Sequence, residues 1–320
     1  MKTEYHYKNL IFKSPASKKI LKTLKRLSDV KSNIFLIGEQ GVGKREIAFL
    51  YHKMIYGEDE RGFFHISCGN IDSEIGYSTL FGYRKGAFTG AVSDKSGAVD
   101  KAKTLYLSSI ELLPENLQPA ILKLLEKRKY TPLGAHEEKT YNGIIVVSTA
   151  QMNIASLKIK LSDSLFYYLN SKSIYIPPLR ERREDVIPIA KKKLKELNKK
   201  YNSNKAFSPE FENFLKNYNF KGNIRELVNF IEKSFIESDE DKLIKISKEE
   251  SQTLIIDELI EDSIKNLLTM RELEKQYFLE VFKLTGGNRT KMSKLLGISR
   301  KSVYNHLLKY GLIKGKNGKN

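Results

Sequence analysis

The chain has 320 residues, 40% hydrophobic and 29% charged, with a formal net charge of +18. That length accommodates two compact domains or one large domain with a small appendage. The lack of an apolar run of membrane length excludes a helical span, and Met1 to Tyr7 contain no signal-peptide core, so a cytoplasmic location is expected. A single cysteine, Cys68, excludes an internal disulfide and a cysteine-built metal site, and reads as a small buried filler.

The first predicted element is an amphipathic helix after Ser14-Pro15, with Ile20, Leu21, Leu24 and Leu27 at helical spacing. No separate domain fits before residue 8, so no receiver or ligand-sensing module is expected in cis. Asn33-Ile34-Phe35-Leu36-Ile37 reads as a strand. It runs directly into Gly38-Glu39-Gln40-Gly41-Val42-Gly43-Lys44-Arg45 and then a helical pattern through Ile47, Ala48, Leu50 and Tyr51. Strand, Gly-x-x-x-x-Gly-Lys and helix form the context of a phosphate-binding loop. Its glycines let backbone N–H groups converge on phosphate oxygens, the helix N-terminus adds its dipole, and Lys44 reaches the outer phosphates. ATP binding is expected. Arg45 occupies the place of the usual magnesium-ligating Ser or Thr, so support for magnesium is weak.

Leu80 to Lys85 lead into Gly86-Ala87-Phe88-Thr89-Gly90-Ala91, an uncharged stretch bracketed by glycines that reads as a protruding loop with Phe88 and Thr89 outward. An apolar tip facing water is a partner-binding feature. Lys103 to Ile110 is a further strand-like run, followed by Glu111-Leu112-Leu113-Pro114 and a helix through Leu117, Ile121, Leu124 and Leu125; Ile144 to Ser148 is another strand. Helical spacing resumes with Val186, Ile187, Ile189 and Ala190, then around Phe211, Phe214 and Leu215, and again from Leu227 to Ile231. Residues 239–266 are acidic and less regular, a linker in which Thr253 to Ile256 could form a strand.

A last helical segment runs from Leu267 to Leu284 and is closed by Thr285-Gly286-Gly287-Asn288. Two short helices follow, Thr290 to Leu296 and Arg300 to Tyr310, joined at Gly297-Ile298 with Ser299 as N-cap. Val303, Leu307 and Tyr310 are expected inward, in helix-turn-helix geometry. From Lys265 onward there are thirteen Lys and Arg against Glu272, Glu274 and Glu280, the electrostatic footprint of a polyanion partner.

The phosphate loop, the Gly86 to Ala91 string and Ile176-Pro177-Pro178-Leu179-Arg180-Glu181-Arg182-Arg183-Glu184-Asp185 together resemble the AAA+ domain of bacterial sigma-54-dependent activators, from about residue 10 to the C-terminus. The terminal helices resemble the Fis-type DNA-binding domain of the same family. The resemblance implies an α/β fold, an AAA+ phosphate-loop parallel sheet over 8–175, a helical lid over 176–238, the linker, and a small all-α helix-turn-helix domain over 267–314. It implies that Gly86 to Ala91 touch sigma-54 RNA polymerase, that subunits assemble as a ring of like or mixed copies, and that Arg225 in Asn223-Ile224-Arg225-Glu226-Leu227 senses the nucleotide phosphates. Base contacts to duplex DNA are expected from Arg300, Ser302 and Asn305, and phosphate contacts from Arg289, Lys301 and Lys309.

The catalytic positions implied by the resemblance are changed. The strand-end Asp and Glu, which hold metal and polarise water, fall at Ser108 and Ser109, and no catalytic residue is assigned. Glu111 lies two residues past the second of them, beyond the strand end, and is not expected to substitute. The Asn that restrains the catalytic Glu falls at Ser67, the sensor Asn at Thr149, and the two arginines given to a neighbouring subunit at Ser162 and Tyr168. Neither Ser nor Tyr places fixed positive charge on a transferring phosphoryl group. The reading is a regulator that binds DNA and ATP but is impaired in hydrolysis. Its rivals are a working ATPase that remodels polymerase with an unorthodox base, and a DNA-binding protein whose ATPase fold only oligomerises.

Overall fold

Proline lacks a backbone donor and its fixed φ suits the first helical position, so the chain becomes helical immediately after Ser14, whose hydroxyl accepts from the Ser17 N–H. This helix, α1 (Pro15–Asp29), opens a computed structural model that describes residues 10–238, 243–244 and 269–313. Apart from 243–244, the linker and its candidate strand at 253–256 lie outside the described residues. The chain divides into two units, one of residues up to Asp185 with Phe220–Glu226, the other of Val186–Asn219 with the residues from Leu227 on.

In the first unit α1 is followed by β1 (Ile34–Ile37), α2 (Lys44–Tyr56), β2 (Phe63–Ser67), α3 (Gly76–Phe81), α4 (Ala98–Lys101) and β3 (Thr104–Ser108). Then come α5 (Gln118–Lys127), the short antiparallel pair β4 (Lys129–Tyr130) and β5 (Lys139–Thr140), β6 (Ile144–Thr149), α6 (Ile154–Lys160), α7 (Asp163–Asn170) and β7 (Ser173–Tyr175). Five strands form one parallel sheet in the order β2-β3-β6-β1-β7. A parallel sheet covered on both faces needs apolar residues at successive positions, and β6 is buried along its whole length. Alternate side chains divide between two cores. Phe35, Leu105, Leu107, Ile145 and Val147 pack with α5 and α7 on one face; Ile34, Leu36, Tyr106, Ile144 and Val146 pack with α1 and α2 on the other. Cys68 belongs to the first core and is fully buried, which pushes its thiol up to about 12.

Asp185 ties the start of α1 to the end of this unit. Its carboxylate accepts from the Lys13 and Ser14 N–H groups, each at 2.7 Å, and from the Ser14 and Ser17 hydroxyls at 3.1 and 3.2 Å. Arg182, also buried, lies 3.9 Å from it. Removing an acceptor that serves this many buried donors leaves them unpaired, so Asp185→Ala is expected to cost roughly 3–5 kcal/mol. Denaturant unfolding checks this, and a change under about 1 kcal/mol would show that the cluster is incidental.

The second unit contains α8 (Val186–Tyr201), β8 (Ala206–Phe207), α9 (Pro209–Asn217), the continuation of α10 (Asn223–Glu237), and β9 (Leu243–Ile244), which pairs in parallel with β8. Phe211 stacks on Phe207 and Phe230 at 5.1 and 5.7 Å between ring centres. The last three helices are α11 (Met270–Thr285), α12 (Arg289–Leu296) and α13 (Arg300–Lys309). Thr269 and Glu272 form a reciprocal capping box at the start of α11, and Gly286 ends it in the left-handed conformation. Phe278, Val281, Met292, Val303 and Leu307 form the core of these three helices, with Tyr310 half-buried against it. Among the described residues no helix is long and apolar enough to cross a membrane.

Candidate nucleotide site and nucleic-acid interface

The carboxyl ends of β1, β3 and β6 lie side by side in the sheet, the edge at which open α/β folds place ligands. The loop after β1 turns through positive φ at Gly41 (+76°) and Gly43 (+97°). A Cβ on Gly41 would stand 2.2 Å from the Gly222 carbonyl oxygen, so glycine there is required by close approach as well as by φ. Lys44 opens α2, and its ammonium folds back to donate to the Gly38 and Glu39 carbonyls at 2.6 and 2.9 Å. Burial lowers its pKa to about 8; Arg225 adds to that shift, while Glu111 and Glu39 oppose it. Arg225 follows Ile224, whose N–H donates to the Gly41 carbonyl, so the sequence-predicted phosphate sensor stands over the loop.

The loop is held from behind by groups that local sequence does not link to it. Arg180 grips the Glu39 carboxylate with two hydrogen bonds, at 2.8 and 2.6 Å. Asn223, buried and at φ +59°, donates to Glu39 and to the Gln40 carbonyl and accepts from the Leu179 N–H. Arg182 donates to the Val42 carbonyl at 2.6 Å. Arg180 and Asn223 both lie within motifs visible in the sequence, but their partners are 141 and 184 positions away.

The chemistry expected at the ends of β3 and β6 is rearranged. β3 stops at Ser108, whose hydroxyl meets His65 Nε2 at 2.9 Å; Ser67 is its register partner on β2. Burial, with Arg45 nearby, lowers the His65 pKa. Ser109 then takes the left-handed conformation (φ 55°, ψ 54°) and turns the chain. The Thr149 hydroxyl donates to Glu111 Oε2 at 2.7 Å, so the predicted sensor position holds the carboxylate that sequence distance leaves out. At the predicted arginine positions, the Ser162 N–H donates to Gln118 Oε1, and the Tyr168 hydroxyl donates to the Leu125 carbonyl of its own subunit.

The glycine turns, Lys44 and the N-terminus of α2 fit a chain of phosphates. At the strand end the metal-holding carboxylates that the resemblance implies are replaced by Ser108 and Ser109, and the residue after Lys44 is the exposed Arg45.

The Gly86 to Ala91 tip is closed by the Gly86 N–H donating to the Ala91 carbonyl at 2.8 Å, and at its base by an Arg84–Asp94 ion pair. Phe88 is 46% exposed; its ring packs edge-on against Tyr83 at 5.0 Å, so the tip is braced and only half of that side chain faces outward. Thr89 is exposed.

In α13, Ser299 caps the helix through the Ser302 N–H, leaving Arg300, Lys301 and Asn305 exposed and Ser302 half-exposed. Arg289, at the start of α12, lies over the Tyr304 ring at 5.4 Å, joining the two helices. Lys309 is 3.7 Å from Glu274, and His306 is stacked on Phe278 and turned toward the same carboxylate.

Residues 10–175 match the family described as the Sigma-54 interaction domain, 180–252 the AAA+ ATPase lid domain, and 269–310 the Fis family of bacterial regulatory proteins. The chain is similar to the response regulator protein PilR of Pseudomonas aeruginosa, with 29% identity across 95% of this chain and 70% of PilR. It is also similar to the acetoin dehydrogenase operon transcriptional activator AcoR of Bacillus subtilis, with 32% identity across 97% of this chain and 52% of AcoR, so it spans about half of that relative. A crystal structure of NtrX from Brucella abortus in complex with ATP shares the fold, with a TM-score of 0.68 and 22% identity over 95% of this chain and 70% of NtrX.

Proposed function

Because the chain belongs to the family of sigma-54-dependent transcriptional regulators, we propose that it binds duplex DNA through α12 and α13 and ATP at the Gly38 to Arg45 loop, and hydrolyses that ATP slowly. One contrast supports this reading. The loop keeps its glycine turns, Lys44 and Arg225, whereas the positions that would hold metal and polarise water are Ser108 and Ser109, and those that would neutralise developing charge are Ser162 and Tyr168. An arginine supplied across a subunit boundary contributes roughly 10³–10⁵ in rate, and a tyrosine already bonded to Leu125 supplies no such charge. Subunits assemble as a ring of like or mixed copies, and the Gly86 to Ala91 tip contacts sigma-54 RNA polymerase. ATP then acts chiefly as a bound effector. A faster, working ATPase is the second reading, favoured by the bond between Thr149 and Glu111.

The tip is tested with Phe88→Ala and Thr89→Ala in a sigma-54-dependent reporter. Both variants are expected to keep DNA and ATP affinities within about twofold, as exposed substitutions do, and to lose regulation of the reporter. Unchanged regulation in both would remove the tip as a polymerase contact.

A further inference from the structure

We infer that Glu111 is the catalytic carboxylate of this site, presented by Thr149 to the water that attacks the terminal phosphate of a bound nucleoside triphosphate. The inference rests on the nucleotide reading above. It starts from the turn at Ser109: left-handed backbone there ends β3 and bends residues 110–112 back toward the end of β6. Ile110 is fully buried and fixes that turn, while Glu111 is only half-buried and has its carboxylate at the sheet edge.

The bond to Thr149 has a defined direction. Thr149 Oγ1 accepts the Gln151 N–H at 2.9 Å, so its own proton points to Glu111 Oε2. Thr149 is fully buried, and its carbonyl accepts from the N–H of Gly38, the first glycine of the phosphate loop, at 3.4 Å. One residue thus ties the carboxylate to the loop. The charge of Glu111 also acts on Lys44 of the phosphate loop. A hydroxyl that donates to one carboxylate oxygen fixes its orientation and leaves the other oxygen to take a proton.

In the step proposed, the water oxygen bonds to the terminal phosphorus as the bond from that phosphorus to the bridging oxygen breaks. One water proton passes to Glu111 and on to solvent, and the bridging oxygen leaves with its electron pair on the nucleoside diphosphate. Thr149 is a positioning residue. The rate is slow because Ser162 and Tyr168 bring no positive charge from a neighbouring subunit.

The test is single-turnover hydrolysis of radiolabelled ATP by the full chain with magnesium, alongside ATP binding measured calorimetrically on the same samples. Wild type is expected to turn over slowly. Glu111→Gln should still bind ATP and lose at least about 100-fold in rate, the lower range for a positioned base. Thr149→Val should lose part of the rate and Thr149→Ser should restore it. Equal rates in wild type and Glu111→Gln, or bound ATP that wild type never hydrolyses, would overturn the role of Glu111 and leave nucleotide binding standing. No ATP binding by wild type would overturn both.

Discussion

Lys44→Ala is expected to weaken ATP binding by roughly 100-fold or more, since it removes the cation that reaches the outer phosphates and a charge-assisted contact in a half-buried site. The wild-type side chain should also impose a pH dependence. Its pKa is lowered to about 8, chiefly by burial, with Arg225 contributing to the drop and Glu111 and Glu39 opposing it. The sign follows directly: below pH 8 the ammonium is present and attracts phosphate, and above it the free protein increasingly carries a neutral amine. Affinity should therefore fall about tenfold between pH 7 and pH 9, and this slope should vanish in Lys44→Ala. Titration with a fluorescent ATP analogue across that range checks both effects. A flat profile in wild type would show that Lys44 does not meet the phosphates.

The second large effect concerns DNA. Arg300 and Asn305 are exposed on α13, while Val303 and Leu307 anchor the helix from its buried side. Alanine at Arg300 or Asn305 is expected to cost about 1–3 kcal/mol each on the preferred sequence and to relax discrimination at one base position. Lys301→Ala and Arg289→Ala should instead weaken binding evenly across sequences and shallow the salt dependence by about one unit each. Fluorescence anisotropy on duplexes selected by the wild-type protein from random DNA separates the two patterns. If Arg300→Ala weakens all sequences equally, it belongs among the phosphate contacts.

Much of this arrangement is legible in the sequence because it is local. The strand–loop–helix from Ile34 to Tyr56, the Ser14 and Ser299 caps and the left-handed Gly286 depend on residues a few positions apart. Three of the five strands of the sheet are also legible, since the apolar runs of β1, β3 and β6 have the lengths of buried strands, whereas β2, broken by His65, and the three-residue β7 carry no such run. What sequence spacing misses is the long-range clamp. Arg180 with Glu39, Asn223 with Gln40 and Arg182 with Val42 join positions more than 100 residues apart, and no periodicity announces them. Glu111 escapes for a different reason. Counting from the strand end places it outside the site, but a single left-handed residue, Ser109, reverses the chain and brings it to Thr149. Phe88 likewise reads as fully outward until Tyr83, five residues earlier, is seen to cover one edge of its ring.

The central claim is that this site holds ATP but turns it over slowly. The most direct test measures ATP binding and steady-state turnover on one preparation, with and without duplex DNA and sigma-54 polymerase. The expected result is saturable binding that Lys44→Ala weakens by roughly 100-fold, with turnover below about 0.01 s⁻¹ under every condition, as follows when a charge contribution of 10³ or more is missing from a typical enzyme rate. Turnover on the order of 1 s⁻¹ that depends on Lys44, or no ATP binding at all, would contradict it.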